Sequence, residues 1–554
     1  MERSMKMFNK KIMILLGLLM MFYTVSAQAA YDNKMVHVGL FFSDSALPTA
    51  NLENSVGTGY RFGYYDNSDA FVTLGSTNET QISMLKTQDI YLKGNLYYET
   101  DPGSSDAVIG CYHIQLPGSY ASFEQAQQSA SQISSAFPAW ISGQYVVRVG
   151  AYQTKDAALS AQSTLGQAGT SIVGTSSSGL SVVRTKTATI LFQFDSAGSK
   201  VFSVNPGLDD NTKAVTWFKG YRYYGDFLYE RIDGGNFTVS NFLSMDDYVK
   251  GILPYEMSPS WPLEALKAQA VCARTYTLSA TGSKHQNQHF DICNTTCCQV
   301  YRGLNNASDA TNQAVDETSG VYAWYNGNLA QTFYYASNGG ASEDVRNVWN
   351  GSTSLPYLSG VVDPYETGME STIPGYHWSV SFTSDKLTSL LQSKGYACDT
   401  IVELKVTQYT SMGNVFSIAF IDSSGTSFPF SRERARTILG LKSMRFQISG
   451  SASDAMYYVD DNGKTLSDMS GIWSIGENGT TSQLSESTGL YVITSSSTDP
   501  LHSSSVSGSG LFTVTGTGNG HNVGMSQWGA YAMAKQGFTY DQILKFYYTG
   551  IDLN

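Results

Sequence analysis

A strand, a Gly-aromatic turn and a helix occur twice in succession in the first third of this chain, and that duplication limits its fold more than any other feature. HIQLPGSYASFEQAQQSASQI (113–133) recurs as VVRVGAYQTKDAALSAQSTL (146–165), with Pro117 extra in the first copy. Each copy begins with the two-residue alternation of a strand and then changes to the spacing of a helix. The buried helical stripe is Ala126, Ala130 and Ile133 in one copy and Ala158, Ala161 and Leu165 in the other. Ser122 with Gln125 forms a capping box, and Thr154 opens the second helix. Two units of this size predict a split βαβ module, with GLSVVRT (179–185) as its final strand.

The pattern Q/R-x-G-S/A-Y followed by an Ala-rich helix resembles the sporulation-related repeat, or SPOR, domain. The resemblance spans residues 105–190 and implies binding to peptidoglycan glycan strands that have lost their peptides. A ferredoxin-like module without a ligand is the competing reading. Upstream, residues 30–104 read as short strands with Gly turns, such as MVHVGLFF and GYRFGYY, a β-rich module whose role is not legible.

Arg3, Lys6, Lys10 and Lys11 precede the apolar run Ile12 to Val25, and Ala27-Gln28-Ala29 offers a small-residue cleavage site. Residues 1–29 therefore read as a signal peptide. The expectation is an exported chain, extracellular or cell-wall associated, and membrane-anchored where the signal stays uncleaved. Leaving out those residues, with four basic side chains and one acidic, takes the formal charge from −12 to −15. An acidic chain without a basic stripe argues against nucleic acid as a partner. Only 14% of the residues are charged, while Gly (52) and Tyr (36) are plentiful. Neutral polar and aromatic surface suits carbohydrate.

From about residue 191 to 554 the chain reads as one large α+β unit. Its centre is YVKGILPYEMSPSWPLEALKAQAVCARTYTL (248–278), in which Pro254 and Pro259 bracket Glu256. Pro262 suits the first turn of the following helix, and Glu264 suits the positive end of its dipole. Leu263, Leu266, Ala270, Ala273 and Thr277 give that helix a buried stripe. A carboxylate on a Pro-pinned loop beside a rigid helix is a catalytic arrangement in principle. Two further stretches stand out. FYYASNGGASEDVRNVW (333–349) runs a strand into a Ser-Asn-Gly-Gly turn. GNGHNVGMSQWGAYAMAKQGFTYDQILKFYYTG (518–550) joins a Gly-rich loop to two helices.

In this order, the three stretches resemble the SpoIID/LytB family, named for the stage II sporulation protein D. The resemblance implies a lytic transglycosylase that cleaves the β-1,4 bond between N-acetylmuramate and N-acetylglucosamine in peptide-stripped strands, with Glu256 on the family's catalytic Glu. LytB-type relatives are instead modifiers of wall amidases, so a non-catalytic glycan-binding enhancer of an amidase is the alternative. The chemistry has its own logic. A hydrolase needs two carboxylates, one as acid and one as base or nucleophile. A transglycosylase needs one, because the muramate 6-hydroxyl closes the ring and the same Glu takes its proton. Tyr255, Met257 and Trp261 are neighbours that desolvate a carboxyl and raise its pKa. Glu264, Glu343 and Asp344 are the candidates for a second acid.

Tyr335, Ser337, Gly339, Gly340, Glu343, His521 and Gln527 are the candidate substrate-binding residues. Glycines at 339 and 340 allow a backbone to approach a ligand closely. His521 is read either as a sugar ligand or as a structural histidine. Members of the family often carry Gly where this chain has Asn522.

HFDICNTTCCQVYRG (289–303) holds His289, Cys293, Cys297 and Cys298. This matches a family segment, H-x-x-x-C with a later C-Q, that holds zinc in some members, and it implies His289, Cys293 and Cys298 as ligands of a structural Zn2+. A Cys293–Cys298 disulfide is the other reading, since export permits one. If Cys297 joins the other three, the site is closed and cannot activate water. A zinc amidase is a third function class, with poor catalytic spacing. No organic cofactor is implied. The fold class expected is multidomain α+β: a split βαβ SPOR-like module followed by a large SpoIID-like domain.

Overall fold

The strand pattern of the N-terminal half is realised in two large sheets. In the computed structural model the described residues are 34–174, 176–208, 212–450 and 510–554, with the backbone of six short strands between Tyr458 and Leu501. The signal-peptide reading of residues 1–29 falls outside them. Among the described residues, no helix is long and apolar enough to cross a membrane. The chain divides into two compact units: 34–332 with 538–541 and 551–554, and 333–537 with 542–550.

In the first unit the duplicated segment folds as strand Tyr112–Gln115, helix α1 (Phe123–Ala130), strands Ala136–Ile141 and Gln144–Tyr152, helix α2 (Lys155–Leu165) and strand Ser171–Val173. Across the sheet these strands run Ser171–Val173, Tyr112–Gln115, Gln144–Tyr152, Ala136–Ile141. Both helices start where the side chains dictate: the Ser122 hydroxyl accepts from the Gln125 N–H and the Thr154 hydroxyl from the Ala157 N–H. Such caps contribute about 1 kcal/mol each. Gln115 and Arg148, equivalent in the two copies, lie opposite each other in register. Arg148 Nε and Nη2 both donate to Gln115 Oε1 at 3.1 Å. The duplication in sequence is thus a contact in space.

GLSVVRT is not the last strand of this module. Ser171–Val173 takes that edge by pairing with Tyr112–Gln115, and Leu180–Arg184 pairs instead with Ile190–Asp195 and Gln81–Lys86. The reason is an open edge elsewhere: Ala136–Ile141 runs parallel to Ile190–Asp195, with Trp140 stacked on Phe194 at 5.3 Å. This continues the sheet to ten strands. Nor do residues 30–104 form a module of their own. Gln81–Lys86 and Thr49–Val56 lie within this sheet, and Met35–Phe41, Tyr60–Tyr65 and Phe71–Thr77 lie within the other. That second sheet has seven strands and includes Phe202–Pro206, Asp226–Arg231 and Phe237–Ser244. Strands buried on one face need partners, and these partners are distant in sequence.

Phe237–Ser244 leads into three helices, α3 (Met245–Lys250), α4 (Leu253–Glu256) and α5 (Leu263–Ala280). Ser244 caps α3, accepting from the Asp247 N–H. Thirteen of the eighteen residues of α5 are buried, so it is a core helix on all sides and not the one-faced stripe its spacing predicts. Its small residues permit this: Ala265, Ala268, Ala270 and Ala273 are fully enclosed. One side chain in that core carries a charge. Arg274 is 0% exposed and donates to Asp246 Oδ1 from Nε at 3.1 Å and Nη2 at 2.8 Å, and from Nη2 to the Val315 carbonyl at 3.2 Å. The second unit carries a separate core around Leu387, Leu391, Ile418, Phe420, Phe512 and Val514.

Arg274 is fully enclosed and its partner Asp246 is half-buried, so losing Arg274 removes the core packing and leaves Asp246 with the Ser319 hydroxyl as its remaining donor. Arg274→Ala is expected to cost about 3 kcal/mol of stability, read as a lower urea midpoint. Arg274→Lys recovers only part, because a single ammonium does not reproduce the planar fork. An unchanged midpoint would contradict the role given to this pair.

Candidate functional site

Glu256 ends α4, a single turn, and is not on a loop. Pro254 lies within this turn, where the chain accepts a residue without an N–H. The Met257 N–H closes the turn on the Leu253 carbonyl at 3.0 Å, and Met257 then takes an extended conformation. Glu256 is half-buried, with Met257 buried beside it and Tyr255 partly exposed. The Tyr255 hydroxyl donates to the Arg302 carbonyl at 3.3 Å. Glu264 accepts from Lys267 at 2.8 Å and from the Tyr540 N–H at 2.7 Å. It is a helix-terminus charge engaged in structure.

The cysteine cluster is compact. His285, Cys293, Cys297 and Cys298 present ligand atoms that all lie within 4.8 Å of one another. His285, not His289, supplies the imidazole. The 3-10 turn Gln286–Gln288 ends at His289, whose φ of +61° reverses the chain. His289 therefore faces Glu230, its Nδ1 2.9 Å from the Glu230 carboxylate. The spacing H-x-x-x-C pointed to the wrong histidine because spacing does not register a left-handed residue. All six cysteines are unbridged thiols, so the cluster holds no disulfide.

The donor set fits a zinc ion. Zinc takes four ligands at about 2.0–2.3 Å in a tetrahedron, and three sulfurs with one imidazole is a structural combination. His285 Nδ1 lies 2.7 Å from Gln288 Oε1, so Nδ1 carries the proton and Nε2 is left facing Cys298 Sγ at 3.3 Å. Cys293 and Cys298 share a proton: the hydrogen bond from Cys298 holds the Cys293 thiol well below its usual range, and the same bond pushes Cys298 up. A bound cation would provide the charge needed to deprotonate both. Cys293 pairs with Gly39 of the seven-stranded sheet, and Gln299 donates to the Thr277 hydroxyl of α5 at 2.7 Å. The cluster thus clips the loop after α5 to both elements.

In the second unit the Ser337–Gly340 loop is filled by the protein itself. The Asn338 and Gly339 N–H groups and the Ser337 hydroxyl donate to the Glu366 carboxylate at 3.1, 3.2 and 2.8 Å. The Ser526 hydroxyl is a further donor to it. Burial pushes the Glu366 pKa up, with the neighbouring Asp363 charge acting the same way. Asp363 accepts from Asn338 and from the Tyr547 hydroxyl. Gly339, at φ +67°, has no room for a side chain, since a Cβ there would lie 2.6 Å from the Thr517 hydroxyl. Glu366 and Asp363 carry no sequence pattern, and only the fold brings them under this loop.

The other candidate residues take their places around that network. Glu343 is 1% exposed and accepts from the Asp344 N–H, Asn347, Thr410 and Asn414. Tyr335 and Gln527 are buried. The His521 ring lies between Tyr335 and Trp349, each 5.2 Å away. Its Nδ1 accepts from the Val523 N–H, and enclosure lowers its pKa to about 4, so the ring is neutral. Asn522, where the family often carries Gly, takes φ +64°, a conformation asparagine tolerates. Its amide donates to the Asn338 and Ala341 carbonyls at 2.9 and 3.2 Å.

Comparisons with known proteins agree on the region. The model of the family described as SpoIID, stage II sporulation protein, matches residues 233–325, which include α3, α4, α5 and the cysteine cluster. The SPOR domain model matches residues 110–173 and ends at the edge strand Ser171–Val173. An uncharacterized protein of Brachyspira hyodysenteriae is 30% identical over 337 residues, 60% of this chain and 73% of that protein. The amidase enhancer of Bacillus subtilis is 34% identical over 321 residues, 55% of this chain and 40% of that protein. Stage II sporulation protein D of Bacillus amyloliquefaciens is 25% identical over 334 residues, covering 58% and 76%.

The two histidines make the metal assignment testable. Wild type and His289→Ala are expected to bind one equivalent of zinc and to melt at a higher temperature with it. His285→Ala and Cys298→Ser are expected to lose both the metal and the shift. Metal analysis with thermal melts checks this, and loss of zinc in His289→Ala alone would overturn it.

Proposed function

This chain belongs to the SpoIID/LytB family and carries a SPOR domain upstream of the family region, and from that premise we propose that it binds bacterial cell-wall glycan and enhances a wall amidase in sporulation-linked remodelling. The observation that carries this reading is the similarity to the amidase enhancer, which at 34% has the highest identity of the three relatives above. The duplicated module, residues 110–173, holds peptide-free strands, and the family region downstream acts on the wall bound there. Export is part of this reading and rests on the signal-peptide pattern of residues 1–29. The cysteine cluster supports a non-catalytic role for its metal, because four protein ligands leave no position for water. The buried hydrogen bonding of Ser337, Gly339 and Glu343 makes these residues supports of a surface, with their backbone shape as their contribution.

A second reading rests on Glu256. It is half-buried beside an apolar neighbour on a one-turn helix fixed by α5, inside the region that the family model matches. Such a carboxyl suits an acid that protonates a leaving glycosidic oxygen and then takes a proton from the muramate 6-hydroxyl. In this reading the chain is a lytic transglycosylase.

The two readings differ in one assay. Purified wall is treated with a wall amidase alone, with added chain, and with the Glu256→Gln variant, and released peptide is measured. The enhancer reading predicts a several-fold rise with both forms. A rise that disappears with Glu256→Gln supports the second reading, and no rise with either form rejects the first.

A further inference from the structure

The second unit holds a cavity of about 300 Å³ whose lining includes Arg445, His377, Tyr409, Gln447, Thr515 and Thr517 and contains no acidic side chain. Its floor is a three-stranded antiparallel sheet, His377–Thr383, Leu511–Thr517 and Phe446–Ser449 in that order. Arg445 is the only charged residue fixed in this lining, and its placement is built. Two glycines leave room for the guanidinium: a Cβ on Gly340 would lie 3.3 Å from Nε, and one on Gly413 would lie 3.3 Å from Nη1. Nη1 donates to the Met412 carbonyl at 2.8 Å. Among the described residues, no carboxylate pairs with Arg445, whereas Arg274 pairs with Asp246 and Arg346 with Asp344. A guanidinium held by backbone packing, with donors to spare and no anion among the described residues, is prepared for an external one.

The rest of the lining narrows the ligand. Tyr409 is 48% exposed and offers a flat apolar face. Thr515 and Gln447 supply neutral hydrogen-bonding groups around it, and His377 adds a ring nitrogen. A planar fork for a carboxylate beside an aromatic face and neutral polar groups, in a space that fits one sugar ring, is a combination for an acidic saccharide. We propose that this cavity binds an acidic sugar residue, with Arg445 paired to its carboxylate and Tyr409 against its ring. The choice of N-acetylmuramate as the natural candidate rests on the cell-wall reading above, whereas the carboxylate requirement rests on the cavity.

Hydrogen exchange of the full chain, followed at the peptides that cover 405–417 and 443–449, reads this cavity separately from any other glycan site. The probes are N-acetylmuramate, N-acetylglucosamine, which lacks the carboxylate, and glucuronate, an acidic sugar of different origin. Slower exchange is expected with N-acetylmuramate and not with N-acetylglucosamine. Arg445→Gln is expected to raise the half-saturating concentration about tenfold. Tyr409→Ala, at an exposed position that leaves the core intact, is expected to raise it several-fold. Protection by glucuronate alone keeps the acidic-sugar site and removes the cell-wall assignment. Equal protection by N-acetylglucosamine, or protection by an acidic sugar that neither substitution weakens, overturns the proposal, as does no protection by either acid.

Discussion

The pair between the fully buried Arg274 and the half-buried Asp246 is the constraint on which the geometry of the first unit turns. A helix enclosed on nearly all sides has no solvated face to fix its rotation, and a charge inside it has one acceptable orientation. Arg274 meets Asp246 at the start of α3 and the Val315 carbonyl on the following helix, which sets α5 against both. Ser244 ties α3 to the seven-stranded sheet. The turn bearing Glu256 spans the short gap between α3 and α5, so its position is a consequence of that frame. Downstream, Gln299 and the His285–Cys298 cluster bind the next loop to α5 and to the sheet. An ion pair of this kind adds little net stability over an apolar core, and its contribution here is orientation.

The second unit solves a different problem. Consecutive N–H groups in a Gly-rich turn form a pocket for negative charge, and here Glu366 occupies it. Asp363 beneath it is satisfied by Asn338 and Tyr547. The arrangement makes the turn rigid without a ligand. It also separates two kinds of glycine-lined feature in one chain: a turn closed by an internal carboxylate, and the cavity around Arg445, whose cation has none among the described residues.

What was legible in the sequence was local. The caps at Ser122, Thr154 and Ser244 and the duplicated strand–helix units follow from residues a few positions apart, and the family motifs located Glu256 and the cysteines. Pairing between distant strands was not legible. Nothing in MVHVGLFF says that it lies against Phe237–Ser244, and nothing in GLSVVRT says that Gln81–Lys86 awaits it. His289 fitted a spacing rule, but a left-handed residue turned it outward and brought His285 in. Glu366 sits in a stretch without periodicity or motif, and its role exists only once residues 337–339 fold over it. The fold class was right at the level of a multidomain α+β chain. A boundary at residue 104 divides three sheets.

On the reading proposed above, the chain binds glycan, holds a closed metal clip and assists an amidase without cutting glycan itself. Mass spectrometry of peptide-free glycan strands after prolonged incubation with the zinc-loaded chain tests that claim most directly. The account predicts strands of unchanged length with no new ends. Accumulation of 1,6-anhydro-muramate ends with the wild type, absent with Glu256→Gln, would contradict it and make Glu256 a catalytic acid.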